Sequence, residues 1–161
     1  MKRALAVVLL LVLVPAAVAI AAKPKPKALR LRSTNLGRVL VDSHKRTLYM
    51  LTADGRNSST CSGACASNWP PARAPKKPKV AARLKRSRLE VIRRSDGRRQ
   101  LAYAGHPLYR YVGDSKPGDV NGEGVNAFGG SWYVLDRSGS AVTGAQAAPQ
   151  PQPAPSPYPY Y

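Results

Sequence analysis

An internal duplication is the feature of this sequence that most limits its possible folds. The segment 48–54, LYMLTAD, matches the segment 108–114, LYRYVGD, sixty residues further along the chain. Each copy is followed by a loop rich in turn-forming residues and then by a tryptophan, Trp69 or Trp132. Because a repeated unit of this size is one supersecondary element, we expect two copies of the same small structure.

Alternating apolar and polar residues predict strands in both copies. In the first copy, residues 39–41 and 47–51 flank the turn signal Asp42–Ser43, which is typical of a β-hairpin. In the second copy, residues 99–103 and 107–111 form the equivalent hairpin pattern. Two separate hairpins are only marginally stable, so the copies must share one core, and we expect both tryptophans to be buried in it.

The predicted fold class is therefore all-β: a single compact domain built from two tandem hairpin-containing repeats. A signal peptide and a disordered tail rich in Pro, Gln, Ala and Tyr flank this domain. The predicted segments are a signal peptide at 1–21, a basic linker at 22–34, the two-repeat domain at 35–138 (repeat one 35–72, basic connector 73–88, repeat two 89–138) and the tail at 139–161.

The first residues predict export from the cytoplasm. Lys2 and Arg3 precede an apolar run from Ala4 to Ile20 that ends in small residues, the pattern of a cleavable secretory signal peptide. An uncleaved spanning helix is the alternative, but Pro15 and the alanine-rich end favour cleavage, which leaves no transmembrane helix. Cleavage also lowers the formal net charge from +18 to +16, so the mature protein remains strongly basic.

The duplicated segments resemble the secreted-repeat family of predicted bacterial lipoproteins, which has a Tyr-x-(Phe/Trp/Tyr)-x-x-Asp motif. The motif residues are Tyr49 and Asp54 in the first copy and Tyr109, Tyr111 and Asp114 in the second. The second copy fits the motif fully, whereas the first has Leu51 at the middle aromatic position. The resemblance covers about residues 36–136 and implies a secreted repeat fold and an extracytoplasmic location. The family's function is unknown, so the resemblance implies no activity.

The motif residues also have an interpretation that does not depend on the family. Asp54 and Asp114 each end a strand pattern, so we expect their carboxylates to accept backbone N–H bonds from the following loop. The tyrosines are expected to be half-buried sheet residues whose hydroxyls have a polar partner.

Cys61 and Cys65 are the only cysteines, four positions apart. In an exported protein, two nearby cysteines predict a disulfide, and a single turn brings their Cα atoms to about 5–6 Å, which a disulfide accepts. The alternative is a copper, zinc or thiol-redox site in which the two thiolates act with His44 or His106.

The densest positive charge lies between the repeats. Residues 73–99 contain twelve Lys and Arg against Glu90 and Asp96, and such a surface attracts polyanions. Nucleic acid is a poor candidate partner, since no aromatic residue between Trp69 and Tyr103 provides a stacking surface. We therefore expect anionic cell-wall polymers or phospholipid headgroups to bind there, with a solvated basic linker as the alternative. The candidate binding residues are Lys76, Lys77, Lys79, Lys85 and Arg86.

The sequence offers little support for an enzyme. It contains no nucleophile elbow, zinc-protease helix or phosphate-binding loop, and only two histidines are present as potential bases. We therefore expect an exported, non-catalytic module of the cell envelope that needs no cofactor, with the copper, zinc or thiol-redox protein as the alternative.

Overall fold

A computed structural model describes residues 28–143, in which β-strands make up nearly all of the regular elements. The predicted signal peptide, with its spanning-helix alternative, and most of the predicted tail lie outside the described residues. The strands are β1 (Leu29–Thr34), β2 (Gly37–Asp42), β3 (Tyr49–Leu51), β4 (Leu89–Arg93), β5 (Arg99–Tyr103), β6 (His106–Pro107), β7 (Asn126–Ala127) and β8 (Gly130–Val134). One short α-helix, α1 (Gly63–Asn68), and a 3-10 turn (Arg86–Arg88) complete the described elements. No helix in this part of the chain has the length and apolar character needed to cross a bilayer.

The strands form three small antiparallel sheets, and both predicted hairpins are present. The order is β1–β2 in one sheet, β4–β5–β6 in the second and β3–β8–β7 in the third. In the first repeat, Leu48 N donates to Leu40 O at 3.0 Å. In the second repeat, Leu108 N makes the equivalent bond to Leu101 O, also at 3.0 Å. The predicted all-β fold of two hairpin-containing repeats is therefore confirmed.

The two repeats exchange their final segments. Strand β3 of the first repeat pairs with β8 of the second, with Met50 opposite Tyr133. The main chain shows the same exchange in both directions, since Leu40 N donates to Leu135 O and Leu101 N donates to Ala72 O, each at 2.8 Å. Each repeat thus supplies a segment that completes the hairpin of the other, which makes the two copies one domain.

Two groups of buried residues form the core. One group lies between the β1–β2 hairpin and the second repeat and includes Leu29, Leu40, Leu101 and Leu135. The other group contains Trp69, Trp132 and the first tyrosine of each motif: Tyr49 and Tyr109. Trp69 and Trp132 are 1% and 0% exposed, so the prediction that both tryptophans are buried in a shared core is confirmed.

The packed region extends beyond the predicted limits of the domain. Residues 29–34, which the sequence analysis assigned to a basic linker, form β1, and Leu29 is fully buried. The linker prediction is wrong here because Leu29 and Leu31 alternate with arginines, which is a strand pattern with one apolar face. At the other end, Val142 N donates to Val134 O at 2.9 Å, so the first residues of the predicted tail also belong to the domain.

The basic connector between the repeats also packs against the core. Leu84 is buried, and Val80 pairs with Leu29 in an isolated parallel bridge. Val80 and Leu84 therefore help to hold the connector on the domain, while most of its lysines and arginines are exposed. The alternative of a freely solvated linker is wrong for this segment.

Candidate functional site

The duplicated motif forms two tyrosine–aspartate pairs, and each pair joins one repeat to the other. Tyr49 Oη donates to Asp114 Oδ2 at 2.7 Å, and Tyr109 Oη donates to Asp54 Oδ2 at 2.6 Å. The main chains of the two tyrosines also bond reciprocally, with both N–O distances at 2.9 Å. The tyrosine and the aspartate of one motif copy thus act in different pairs, and the exchange follows an approximate two-fold relation between the repeats.

Each aspartate also holds the loop that follows its strand. Asp54 Oδ1 accepts bonds from Thr60 N at 2.7 Å and Thr60 Oγ1 at 2.9 Å. Asp114 Oδ1 accepts a bond from Asn121 N at 3.0 Å. These contacts match the loop-holding role expected of the aspartates, and the tyrosine hydroxyls use the second carboxylate oxygens. Each motif carboxylate therefore connects a loop of its own repeat to the core tyrosine of the other.

Burial raises the pKa values of both tyrosines and of Asp114 in these pairs. Desolvation, followed by the nearby Asp114 carboxylate, raises the pKa of Tyr49 far above its ordinary value. Desolvation and the hydrogen bond to Asp54 raise the pKa of Tyr109 in the same direction. Desolvation also raises the pKa of Asp114 to about 6, although the bonds from Tyr49 and Asn121 oppose the rise. Both tyrosines are thus neutral hydrogen-bond donors at physiological pH.

The raised pKa of Asp114 predicts a pH-dependent stability. The folded protein takes up the Asp114 proton more readily than the unfolded chain, whose carboxyl has a pKa near 3.8. The contribution of Asp114 to stability is therefore largest below pH 4 and is lost as pH rises through about 6. Because the carboxylate is partly exposed, we expect a loss of about 1–2 kcal/mol rather than the full value of the shift.

Chemical denaturation of the wild-type protein and the D114N variant between pH 4 and 7 measures this contribution. The fall in unfolding free energy between pH 4 and 6 should be smaller in the variant by about 1–2 kcal/mol, since its amide does not titrate. Burial also raises the pKa of Glu123, which keeps its own part of the fall. D136N is the matched control, because, although desolvation opposes the shift, the bonds from Ser138 and Ser140 lower the pKa of Asp136. Its removal should leave that fall in place. An unchanged pH dependence in D114N would contradict the assignment.

A stack of aromatic rings fills the space between the two tyrosine–aspartate pairs. Trp69 and Trp132 lie face to face, with ring centroids 3.8 Å apart and planes inclined by 2°. Tyr111, the middle aromatic of the second motif, stacks on Trp69 with centroids 4.3 Å apart. Gly122 permits this packing, because a Cβ atom there would lie 2.6 Å from Trp69 and 3.0 Å from Tyr49. These stacked rings thus build the core at the contact between the two repeats.

The predicted disulfide is confirmed. Cys61 and Cys65 are bonded to each other, with their Cα atoms 5.3 Å apart, and both residues are buried. The bond leaves neither sulfur as a thiolate for a metal, and residues 28–143 contain no group of three or more His, Cys, Asp and Glu side chains placed to hold one. His44 lies in the turn after β2 and His106 begins β6. The alternative of a copper or zinc site is therefore not supported.

Arg94 ties the disulfide loop of the first repeat to the second repeat. Its buried guanidinium donates to Ser59 Oγ at 2.6 Å, to Gln100 Oε1 at 2.8 Å and to Cys61 O. Asp96 provides a partial counter-charge, with its carboxylate 3.6 Å from Arg94 Nε. Arg94 belongs by sequence to the basic run at 73–99, whereas in the structure it is buried and helps to hold the core together.

The positive surface between the repeats contains two adjoining depressions. The first, which we call the lysine groove, is an open depression of about 510 Å³. Its charged lining residues are Lys76, Lys77, Lys79, Arg86 and Arg99. Four of the five predicted polyanion-binding residues thus line one groove, and Lys85 is the one outside its lining. The predicted cluster is therefore a continuous surface feature, although its binding of polyanions remains a prediction.

The second depression, which we call the arginine cleft, is larger, at about 760 Å³. Its charged lining residues are Asp42, Arg46, Arg73, Lys76, Lys77 and Arg110, and His44 lies beside them. Lys76 and Lys77 line both depressions, so the two form one positive surface. The grouping of Arg46, Arg73 and Arg110 could not be predicted from the sequence, since they lie in three separate segments and only Arg73 belongs to the charge run at 73–99.

Comparison with known families identifies both repeats. A family model described as a secreted repeat of unknown function matches residues 31–73 and 90–136, which together cover more than half of the chain. No curated protein and no solved structure matches the chain. The two matched ranges correspond to the two hairpin-containing repeats described above, and a secreted repeat has an extracytoplasmic location. The chain therefore belongs to this family of secreted repeats of unknown function.

Proposed function

We propose that this exported protein is a non-catalytic module of the cell envelope that associates with anionic wall polymers or phospholipid headgroups. The lysine groove and the arginine cleft are the proposed binding surface. The association is electrostatic. Its affinity depends on the charge density of the polymer more than on the identity of the anionic groups, because the positive surface is wide.

The charge around the two depressions is the observation that carries the proposal. Together their linings contain eight Lys and Arg side chains: Arg46, Arg73, Lys76, Lys77, Lys79, Arg86, Arg99 and Arg110. Asp42 is the one carboxylate in these linings among the described residues, and Arg46 already pairs with it at 2.8 Å. The surface therefore has a large excess of positive charge, which Asp42 alone does not balance.

The aromatic residues favour an envelope polymer over single-stranded nucleic acid. Neither lining contains a Tyr, Trp or Phe within the described part of the chain. The aromatic rings that could stack on bases are instead packed in the core, where Trp69 and Trp132 stack on each other. Binding through charge alone, outside the cytoplasm, suits a polymer with regularly spaced anionic groups.

A salt series of pull-down assays on isolated wall material tests the proposal. Retention of the mature protein should fall steeply as salt rises, since released counterions supply much of the binding free energy. A variant with five glutamines in the positive surface should bind at least about tenfold more weakly at low salt. Its substitutions are K76Q, K77Q, K79Q, K85Q and R86Q.

A second five-glutamine variant is the matched control, since it removes the same net charge from other exposed positions. Its substitutions are R38Q, R56Q, R98Q, K116Q and R137Q. Retention of this control should stay close to that of the original protein. The proposal fails if retention survives high salt, or if both variants lose retention equally, because the position of the charges would then not matter.

A further inference from the structure

We infer that the arginine cleft is a specific site for an organic phosphate: the phosphate group lies against Arg73 and Arg110, and the carbon body lies on the apolar floor of the cleft. This inference rests on the proposed function, because it names the chemical group that one part of the positive surface recognises. It adds a saturable small-ligand site to a surface that otherwise binds polymers through their charge density.

The charges around the cleft are not balanced from within. Asp42 Oδ1 accepts bonds from His44 N at 2.8 Å and from Arg46 N at 3.0 Å. Asp42 Oδ2 receives Arg46 Nε at 2.9 Å, whereas Arg110 Nε lies 3.8 Å away from it. The backbone turn and Arg46 therefore satisfy the carboxylate. Arg110 and Arg73 are left as guanidinium groups without a close carboxylate of their own in the described residues.

Arg110 is the group in this cleft that most needs an anion. Its side chain is only 23% exposed, and its Nε atom is buried without a hydrogen-bond partner among residues 28–143. Desolvation and the neighbouring Arg46 and Arg73 lower its pKa, so the surroundings disfavour its positive charge. A phosphate in the cleft would supply the missing counter-charge to the exposed part of this guanidinium, and guanidinium groups bind phosphate through paired N–H donors.

The apolar floor of the cleft favours a ligand that has an apolar segment next to its anionic group. Its apolar lining residues are Ala28, Ala72, Ala74, Pro75 and Leu101. This lining would stay wet under an inorganic anion, whereas a short alkyl group would displace the water and gain about 0.8 kcal/mol for each CH2 that it buries fully. The cleft thus suits a phosphate with an attached apolar segment, as in a lipid headgroup region or an alkyl phosphate.

Isothermal titration calorimetry of the mature protein with hexyl phosphate and with inorganic phosphate tests the inference. Hexyl phosphate should bind saturably and at least about tenfold more tightly than inorganic phosphate, since only hexyl phosphate covers the floor. The R73Q/R110Q variant should lose at least about tenfold in affinity for hexyl phosphate, because it removes the two unbalanced guanidinium groups. R73Q alone, at an exposed position, should give a smaller loss, which keeps the test valid if R110Q disturbs folding.

The K79Q/R86Q variant removes the same net charge from the lysine groove and is the matched control. It should weaken retention on wall material yet bind hexyl phosphate within about twofold of the original protein, because its charges lie outside the cleft lining. Equal affinities for the two phosphates, no saturable binding, or equal losses in the cleft and groove variants would overturn the inference. Those results leave the proposed function in place if wall retention still depends on the positive surface.

Discussion

Replacement of Trp132 by alanine is expected to lower the free energy of unfolding by about 3–5 kcal/mol. The indole is fully buried, stacks on Trp69, and contacts Tyr109 edge to face with centroids 5.1 Å apart. Its Nε1 atom also donates to Ala127 O at 3.2 Å. The truncation would therefore open a cavity at the contact between the two repeats and leave the partly buried Ala127 carbonyl without its donor.

Urea denaturation followed by far-ultraviolet circular dichroism measures this loss without relying on tryptophan fluorescence. F128A is the matched control, since Phe128 is an aromatic residue at the tip of the β7–β8 hairpin and is 43% exposed. We expect a change of about 0.5 kcal/mol or less for the control. Equal losses in W132A and F128A would show that the tryptophan stack does not organise the core.

The exchanged contacts explain why the two repeats form one domain. A single repeat would contain the residues of its hairpin but not the segment that pairs with that hairpin. Leu135 of the second repeat pairs with the first hairpin, and Ala72 of the first repeat pairs with the second hairpin. A single repeat would also lose the acceptor of its core tyrosine, which lies in the other repeat. The duplicated motif is therefore a structural lock between repeats, and Arg110 is its one residue that lines the surface on which we place binding.

Local patterns in the sequence predicted the hairpins, the disulfide and the buried tryptophans. Each of these features depends on residues that are close in sequence or on a simple burial requirement. The disulfide, for example, needs only that Cys61 and Cys65 lie one turn apart. The partner of each tyrosine could not be predicted in this way, because Tyr49–Asp54 and Tyr49–Asp114 pairs are equally consistent with a repeated motif.

The sequence wrongly predicted unpacked linkers where basic residues are interspersed with apolar ones. The segment at the start of the domain carries three Lys or Arg between 27 and 32, and this charge hid the apolar face of β1. The positive charge of the connector likewise hid Leu84, which is buried against the core. In both segments the hydrophobic effect of a few leucines decides the structure, since the long charged side chains reach water from a packed backbone.

The candidate binding surface was predicted only in part for a related reason. The lysines of the groove are close in sequence, so their charge run is visible. The arginine cleft combines a hairpin turn, the start of the connector and the segment that follows β6, which only the fold brings together. Arg110 in particular lies inside the tyrosine motif, where nothing in its local sequence indicates a cleft.

The exchange of tyrosine–aspartate partners is tested most directly by two double-mutant cycles on unfolding free energy. The first combines Y49F with D114A, and the second combines Y49F with D54A. We predict a coupling of about 2 kcal/mol in the first cycle, because Tyr49 donates to the Asp114 carboxylate and hydrogen bonds to charged groups contribute about that much. The second cycle should be additive within about 0.5 kcal/mol, since Asp54 bonds to Tyr109 instead. Strong coupling of Tyr49 to Asp54, with no coupling to Asp114, would contradict the exchange. Each tyrosine would then pair with the aspartate of its own repeat.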